Sequence, residues 1–473
     1  MNNKLAYLPA WKLEQLIRAK KVSPVEIIDE ILERITKLNP KINAFLTITG
    51  DNAGKQAVKA EQDVMDGKEL PALHGIPISI KDLELTRGIR TTFGSLIYKD
   101  FIPKEDSIVV ERIRKSGAII IGKTNTPEFG LSITTENLLG DHCRNPWNTA
   151  RTTGGSSGGA AAAVAAGLGP LAQGSDGGGS IRIPSGWCGV FGLKPSYGRV
   201  PMSNDHFIVE NAVIGPITRN VQDAAMLLNI MAGHDSRDPI SLRDKPDFSE
   251  ALDGDVKGYK IAFSLDMGYA KVDSEIRSAV KSAAGEFAGT GCEVEEATPA
   301  VGIPFDIFVP IDATHAALQY RNLLPKYKSL MRPGLADFIS AGKKIKAYDY
   351  LENRKKLLHY RGIMEDFFTK YDLLILPTLA TPAHKVGEKP MMINGQKIDM
   401  NSTWEPYWAS CPFTPIFNLT QQPVANVPVG FSKDGLPICM MIAGRRGDEM
   451  GVLRAAAAFE QRHPWADKYP PGK

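Results

Sequence analysis

Glycine and serine are concentrated in one stretch of this chain, where their pattern could support nucleophilic chemistry. Ten of the 44 glycines lie between residues 154 and 180, in two clusters that flank a helix-forming run of small residues. Glycine lets the backbone approach a ligand closely and adopts positive φ at little cost. The second cluster could therefore present successive backbone N–H groups as a nest for an oxyanion. Its members are Gly177, Gly178, Gly179 and Ser180.

Three known motifs partly match this stretch. A P-loop needs a lysine after its glycines, and none follows here. Residues 167–172 fit the dinucleotide pattern G-x-G-x-x-A, but Pro170 obstructs the turn that the pattern requires. Residues 155–159 fit G-x-S-x-G, which makes Ser157 a candidate nucleophile of an α/β-hydrolase triad. Such a triad also needs an acid and a histidine, and the available histidines, none in a telling context, are His206, His234, His315, His359, His384 and His463.

An ordered set of segments is more specific than any of these motifs. The segments are GIPISIKD (75–82), GKTNTPEF (122–129), RNPWN (144–148), GGSSGG (154–159), GSDGGGSIR (174–182), GLKPSYGRV (192–200), GPITR (215–219), FNLT (417–420) and GLP (435–437). Together they resemble the amidase signature family, and the resemblance covers effectively the whole chain. It implies an enzyme that hydrolyses amides.

The resemblance also implies three catalytic residues. By motif they fall on Lys81, on Ser156 as the serine of a cis peptide, and on Ser180 as the nucleophile. Ser180 follows Ser156 by 24 residues, the separation found in the family, and this favours Ser180 over Ser157. Without the resemblance, the preferred interpretation would be a surface lysine at a strand end for Lys81 and small turn residues for Ser156 and Ser180.

The implied roles are chemically consistent. A serine hydroxyl is a weak nucleophile and needs a base. Lysine can be that base only when neutral, and burial lowers its pKa in the required direction. Ser156 would then pass the proton of Ser180 to Lys81 and later return it to the leaving amine. Water would release the acyl group from Ser180, and activity should be highest at neutral to alkaline pH.

Other residues are expected to support this centre. Asp176 and Arg182 are expected to form a buried pair that holds the oxyanion loop, in preference to binding substrate. Gly130 is expected to line the acyl pocket, as the family backbone does at this position. Three aromatic residues could wall the cleft or could equally pack locally, namely Trp404, Tyr407 and Trp408.

Local signals predict the elements that position these residues. Ser23 to Glu26 form a capping box with proline at the first helical position, and apolar residues at helical spacing follow until Asn39-Pro40 ends the helix. From Gly75 onward, strand and helix signals alternate. Residues 76–80, 118–121, 424–429 and 437–442 are predicted to be strands. One helix is predicted to be capped by Asp106 or Ser107 and to end at Gly117, and another to run from Leu453 to Arg462.

This alternation predicts an α/β fold, and the resemblance specifies it as the amidase signature fold. That fold is a large twisted mixed β-sheet sandwiched between α-helices. We expect a single domain over residues 1–473, with a helical segment of about 1–70 packed on it and a variable substrate-cleft region of about 300–415. Residues 378–412 are expected to form long loops.

Composition excludes several classes of protein. The chain has 43% hydrophobic and 23% charged residues, which is typical of globular proteins and not of disordered or collagen-like chains. A net charge of +3 gives no support for nucleic acid or membrane as a partner. Its 5 widely spaced cysteines indicate neither a disulfide framework nor a zinc site. Without a signal peptide or a long apolar run, a cytoplasmic protein is expected.

The expected substrate is a small aryl or alkyl carboxylic amide, with esters and carbamates as further substrates. No cofactor or metal is expected, and a homodimer is an open possibility. The alternative is the glutaminase subunit of a tRNA-dependent amidotransferase, although those subunits usually have Thr where this chain has Gly177. Gln421 also departs from the family pattern, since glycine is frequent before Gln-Pro. A non-catalytic binding protein is a third possibility, disfavoured because all three catalytic residues are present.

Overall fold

The computed structural model describes residues 5–202 and 210–471. Its strands in chain order are β1 (Phe45–Ile48), β2 (Pro77–Lys81), β3 (Ile119–Thr124), β4 (Arg144–Asn145), β5 (Asn148–Thr152), β6 (Leu171–Asp176), β7 (Phe191–Lys194), β8 (Val213–Thr218), β9 (Lys260–Phe263), β10 (Glu293–Glu296), β11 (Leu373–Pro377), β12 (Met392–Ile393), β13 (Gln396–Lys397), β14 (Val424–Phe431) and β15 (Pro437–Gly444).

Eleven of these strands form one mixed sheet. Their order across the sheet is β1-β3-β2-β6-β8-β7-β14-β15-β11-β9-β10. Strands β3, β2 and β6 run parallel, as do β11, β9 and β10, whereas the other neighbouring pairs are antiparallel. The predicted α/β fold with a large mixed sheet is confirmed.

Helices flank this sheet. They are α1 (Ala10–Arg18), α2 (Pro24–Ile42), α3 (Gly50–Met65), α4 (Ile108–Lys115), α5 (Gly158–Ala165), α6 (Arg182–Cys188), α7 (Val221–Met231), α8 (Ser274–Glu286), α9 (Phe305–Tyr320), α10 (Leu324–Tyr327), α11 (Leu335–Gly342), α12 (Ala347–Lys370), α13 (Glu405–Trp408), α14 (Thr414–Thr420) and α15 (Glu449–Arg462). Every residue of α5 is buried, because a helix of alanine and glycine has no polar face to turn to solvent.

The end of helix α2 differs from the prediction. Its start is as expected, since Ser23 and Glu26 form the capping box. The predicted stop at Asn39-Pro40 is wrong, because the helix contains Pro40 and ends at Ile42. Asn43 adopts the left-handed conformation with φ 48° and donates its N–H to the Asn39 carbonyl oxygen at 2.7 Å. The helix therefore continues past Pro40, and the cap at Asn43 closes its last turn.

The other predicted elements are present, with small shifts at their ends. Strand β3 runs on to Thr124, beyond the predicted Ile121, and so reaches the same sheet edge as Lys81. Helix α15 begins at Glu449, before the predicted Leu453, because Asp448 accepts the Gly451 N–H at its start. Residues 378–412 contain only the β12–β13 hairpin and α13 as regular elements, in line with the predicted loops.

Two adjacent parallel strands position the candidate site. Lys81 is the last residue of β2 and Asp176 is the last residue of β6. The Lys81 N–H donates to Oε1 of Gln173 on β6 at 3.0 Å, which ties the two strand ends together. Because parallel strands end at the same edge, the loop after Asp176 emerges beside Lys81, where ligands of α/β sheets commonly bind.

Within the described residues, the helices are all too short or too polar to cross a membrane.

Candidate active site

Lys81 is fully buried and its ammonium group faces two serines. Its Nζ donates to Oγ of Ser156 at 2.7 Å and to Oγ of Ser175 at 3.0 Å. Burial lowers the pKa of Lys81 to about 7, although the negative charges of Asp176 and Glu84 oppose this shift. At neutral pH a large fraction of Lys81 is therefore uncharged and able to accept a proton.

Ser156 contacts Lys81 and lies close to Gly130. The peptide bond from Gly155 to Ser156 is cis, the conformation that the family resemblance implies. Gly130 has φ 72°, and a β-carbon added there would lie 2.8 Å from Cδ1 of Leu83 and 3.3 Å from Oγ of Ser156. Gly130 is thus placed beside the Ser156 hydroxyl, where there is little room for a side chain.

Ser180 lies on the loop after β6, next to the Ser156 segment. The Ser180 carbonyl oxygen accepts the N–H of Ser157 at 3.1 Å, which joins the two serine segments. Ser180 is half-buried, whereas Ser156 is 2% exposed. Of the three predicted catalytic residues, Lys81 and Ser156 are in direct contact, and Ser180 lies on the adjoining loop.

The hydroxyl of Ser157 is engaged elsewhere. Its Oγ donates to the Ser175 carbonyl oxygen at 3.1 Å and accepts the Ser175 N–H at 3.3 Å. Its side chain is fully buried, and no histidine in the described part of the chain contacts it. His206, one of the histidines open to an α/β-hydrolase triad, lies outside the described residues. The geometry therefore favours a structural role for Ser157.

Asp176 and Arg182 form a buried ion pair beneath the loop. Arg182 Nε donates to Oδ2 of Asp176 at 3.0 Å, and Nη2 donates to Oδ1 at 2.9 Å. Asn418 completes the network, because its Nδ2 donates to Oδ1 of Asp176 at 2.9 Å and its Oδ1 accepts from Arg182. Burial opposes the negative charge, but Arg182 and the hydrogen bonds hold the pKa of Asp176 below its usual value.

The N–H groups of the expected oxyanion donors differ in their partners. The N–H of Gly179 donates to Oδ1 of Asp176 at 2.7 Å and so helps to hold the loop. Among the described residues, the N–H groups of Gly177, Gly178 and Ser180 have no such acceptor. The oxyanion role of these glycines stays a prediction.

Two side chains from distant segments fix the shape of this loop. Oγ1 of Thr414 donates to the Gly178 carbonyl oxygen at 2.7 Å. A β-carbon added at Gly178 would lie 2.6 Å from Cζ of Phe308, so only glycine fits under this ring. Phe308 belongs to α9, which therefore covers the oxyanion loop.

The aromatic residues Trp404, Tyr407 and Trp408 each make contacts with neighbouring residues. Trp404 stacks on Phe305 with ring centroids 4.9 Å apart, and Trp408 packs edge-on against Phe308 at 5.4 Å. The hydroxyl of Tyr407 accepts the N–H of Ile133 at 3.1 Å. These contacts show local packing, and the cleft-lining role of the three residues stays a prediction.

A lowered pKa does not by itself identify the base. Lys123 and Lys194 are also fully buried, and burial lowers their pKa values to about 8 and about 7. Lys123 donates to Oγ1 of Thr91 at 2.8 Å, and Lys194 donates to the Pro195 carbonyl oxygen at 3.0 Å. Lys81 is distinguished by its contact with a serine hydroxyl beside the nest of backbone donors.

Several contributors were not found from the sequence. Ser175, Asn418 and Phe308 contact the site directly, yet only Ser175 and Asn418 lie in segments that carried the family resemblance. The signal for Asn418 was its motif FNLT, whereas nothing in the residues around Phe308 marked it. In the described residues, no group of three or more His, Cys, Asp or Glu side chains is arranged to hold a metal ion.

Gln421 occupies the position where its segment departs from the family pattern. It ends α14 with φ 73°, in the left-handed region that glycine adopts most easily. Its side-chain nitrogen donates to the Glu210 carbonyl oxygen at 2.8 Å. The turn is thus kept with glutamine in place of glycine.

Comparisons with known proteins identify the family of this chain. A family model described as Amidase matches residues 26–453. An acylamidase of Rhodococcus erythropolis is 37% identical over 480 residues, which cover 98% of each chain. A glutamyl-tRNA(Gln) amidotransferase subunit of Carboxydothermus hydrogenoformans is 36% identical over 485 residues, covering 97% of each chain. The crystal structure of a bacterial aryl acylamidase of the amidase signature family superposes with a TM-score of 0.93, at 33% identity and 99% coverage of both chains.

Proposed function

Because this chain belongs to the amidase family and is an amide C–N hydrolase, we propose that it cleaves small aryl or alkyl carboxylic amides through an acyl-enzyme on Ser180. Both an acylamidase and an aryl acylamidase are among its relatives, which supports this substrate class. The observation that carries the mechanism is the buried contact of 2.7 Å between Lys81 Nζ and Ser156 Oγ.

The proton path begins at the nucleophile. Neutral Lys81 accepts the proton of Ser156 as Ser156 takes the proton of Ser180. The Ser180 oxygen then attacks the amide carbonyl carbon, and a tetrahedral oxyanion forms. The site is closed to solvent around Lys81, so a proton held there is kept for the leaving group.

Backbone donors stabilise the developing charge. The N–H groups of Gly177, Gly178 and Ser180 are the proposed donors, since that of Gly179 is held by Asp176. Loss of one such donor typically costs about 10²–10³ in rate. The ion pair of Asp176 with Arg182 keeps the loop in the conformation that presents these groups.

Collapse of the intermediate requires a protonated leaving group. Ser156 returns the proton to the amine nitrogen, the C–N bond breaks, and the acyl group remains on Ser180. Water, deprotonated along the same path, then hydrolyses the acyl-enzyme. Esters and carbamates present the same carbonyl geometry and are proposed as further substrates.

The second candidate is the glutaminase subunit of a tRNA-dependent amidotransferase. A relative of almost equal identity carries the name of such a subunit, which favours keeping this candidate. Gly177 stands where those subunits usually have Thr, which favours the amidase. The two candidates differ in whether the isolated chain accepts glutamine.

The decisive experiment is a substrate panel on the purified chain. We expect turnover of simple anilides and alkyl amides and little or none of glutamine. Intact-mass spectrometry after rapid acid quench should show the acyl group on the wild-type protein and not on Ser180→Ala. Hydrolysis of glutamine alone would support the amidotransferase candidate, and unchanged turnover by Ser180→Ala would refute the mechanism. Light scattering of the same sample tests whether the chain forms a homodimer.

A further inference from the structure

One face of helix α9 connects the two loops that border the catalytic serines. Phe308 covers the oxyanion loop at Gly178, as the 2.6 Å approach of an added β-carbon shows. Three turns further on, Tyr320 stacks on Phe129 with ring centroids 4.2 Å apart and an angle of 14° between the planes. Phe129 immediately precedes Gly130, which lies beside Ser156.

Asp312 lies on this face between the two contacts. It follows Phe308 by one turn and precedes Ala316 by one turn. Ala316 is buried in the same apolar cluster as Phe129. Since side chains four residues apart in a helix lie on one face, Asp312 lies between Phe308, which contacts Gly178, and Ala316, which packs in the cluster of Phe129 next to Gly130.

The carboxylate of Asp312 has no cationic partner in the described part of the chain. It is half-buried, and burial raises its pKa to about 7 with no opposing positive charge. Two fully buried carboxylates of this protein are, by contrast, each paired with an arginine. Asp176 binds Arg182 at 2.9 Å, and Glu449 binds Arg199 at 2.9 Å. A carboxylate removed from water without a counter-charge is costly, and a cationic ligand would offset that cost.

We propose that Asp312 determines substrate specificity by binding a positively charged amino group of the amide substrate. The substrate class is then an amide with an ammonium group a few bonds from the scissile carbonyl, on the acyl or the leaving side. The ring of Phe308, one helical turn from Asp312, would add an aromatic contact beside the charge pair. This inference rests on the proposed amidase function and names its substrate more closely.

Two pairs of nearly isosteric substrates test the inference. On the acyl side, the anilide of 4-aminobutanoic acid is compared with that of pentanoic acid. On the leaving side, the acetamide of 4-(aminomethyl)aniline is compared with that of 4-ethylaniline. Each pair differs by an ammonium group in place of a methyl group, and kcat/KM is measured at about pH 8.5, above the pKa values of Asp312 and Lys81.

Asp312→Asn removes the charge and keeps the shape. In at least one pair, this variant should lose roughly tenfold or more in kcat/KM for the cationic substrate, with less than about a threefold change for the neutral one. Asp306→Asn is the matched control, because Asp306 is an exposed carboxylate on the same helix. Its ratio of cationic to neutral kcat/KM should equal that of the wild type.

A measurement on the wild-type protein does not depend on folding of a variant. Butylammonium should inhibit hydrolysis of the neutral anilide at least tenfold more strongly than butanol does. Equal inhibition by the two, or an unchanged substrate ratio in Asp312→Asn for both pairs, overturns the inference and leaves the amidase function standing. If no amide of any charge is hydrolysed, the proposed function and this inference fall together.

Discussion

Nζ of Lys81 lies 2.7 Å from Oγ of Ser156 in a site where the lysine has no exposed surface. Desolvation lowers the pKa of Lys81 to about 7 and so supplies an uncharged amine at neutral pH. The proposed base and the proposed proton relay are thus already in contact in the absence of substrate. The lowered pKa of Lys81 and its burial should make both the rate and the stability of the protein depend on pH.

The rate should depend on pH through this lysine. Protonated Lys81 cannot accept a proton, so kcat/KM should rise about tenfold for each pH unit below about 7 and level off above it. The measurement is a pH–rate profile on a neutral anilide between about pH 5 and pH 9, with stability checked at each pH. A profile that stays flat into the acid range would exclude a lysine base.

The same group should make stability depend on pH. The pKa of Lys81 is about 7 in the folded state and about 10.4 in the unfolded chain. Between these values the unfolded chain binds more protons, so the wild-type protein gains stability as pH rises. Relative to Lys81→Met, this gain should be about 1.4 kcal/mol for each pH unit from about 7 to 10.

Chemical denaturation at about pH 7, 8 and 9 measures this difference. Lys281→Met is the control, since Lys281 is an exposed lysine on α8. Its free energy of unfolding relative to the wild type should be the same at all three pH values. A constant difference for Lys81→Met as well would show that Lys81 remains charged when buried.

Substituting Ser157 separates the two serine assignments. Ser157→Ala removes both hydrogen bonds to the Ser175 backbone and should lower the free energy of unfolding by about 1–3 kcal/mol. Its kcat should stay within about tenfold of the wild type, whereas Ser180→Ala should lose about 10⁴-fold or more. The reverse pattern would restore Ser157 as the nucleophile.

Breaking the buried ion pair should cost both stability and activity. Asp176→Asn leaves Arg182 charged and without its carboxylate, which should lower the free energy of unfolding by about 3–5 kcal/mol. Arg182→Met should cost a similar amount. In a double-mutant cycle, the two changes together should cost clearly less than their sum. Strict additivity would show that the pair does not hold the loop.

The sequence was sufficient for residues whose signal is local. The β-branched run before Lys81 predicted a buried strand, and the resemblance to the amidase signature family marked the segments of Ser156 and Ser180. The helix end at Asn39-Pro40 was misplaced, because the left-handed cap at Asn43 is set by backbone conformation and not by the proline. Local signals therefore indicate which elements exist more accurately than where they end.

Contacts between residues far apart in the chain could not be predicted from local sequence signals. The hydrogen bond from the Gly179 N–H to Asp176 depends on the backbone conformation of the loop. A glycine-rich sequence does not predict that conformation, because glycine adopts many. Phe308 reaches Gly178 from a helix 130 residues away, and Asn418 reaches Asp176 across 242 residues. Neither has a periodic or motif signal that points to its partner.

Helix α9 and the sheet edge contribute different residues to the candidate site, and we propose different roles for them. Lys81 ends β2, Ser156 lies between β5 and α5, and Ser180 lies on the loop after β6, whereas α9 contributes Phe308, Asp312 and Tyr320 from a remote part of the chain. If Asp312 binds substrate as proposed, mutations at this position of α9 should redirect the enzyme toward new amides while the groups that cleave the bond are preserved. Such a division of roles is suited to evolutionary divergence, since a change of substrate specificity on α9 does not require a change in the residues proposed to cleave the bond.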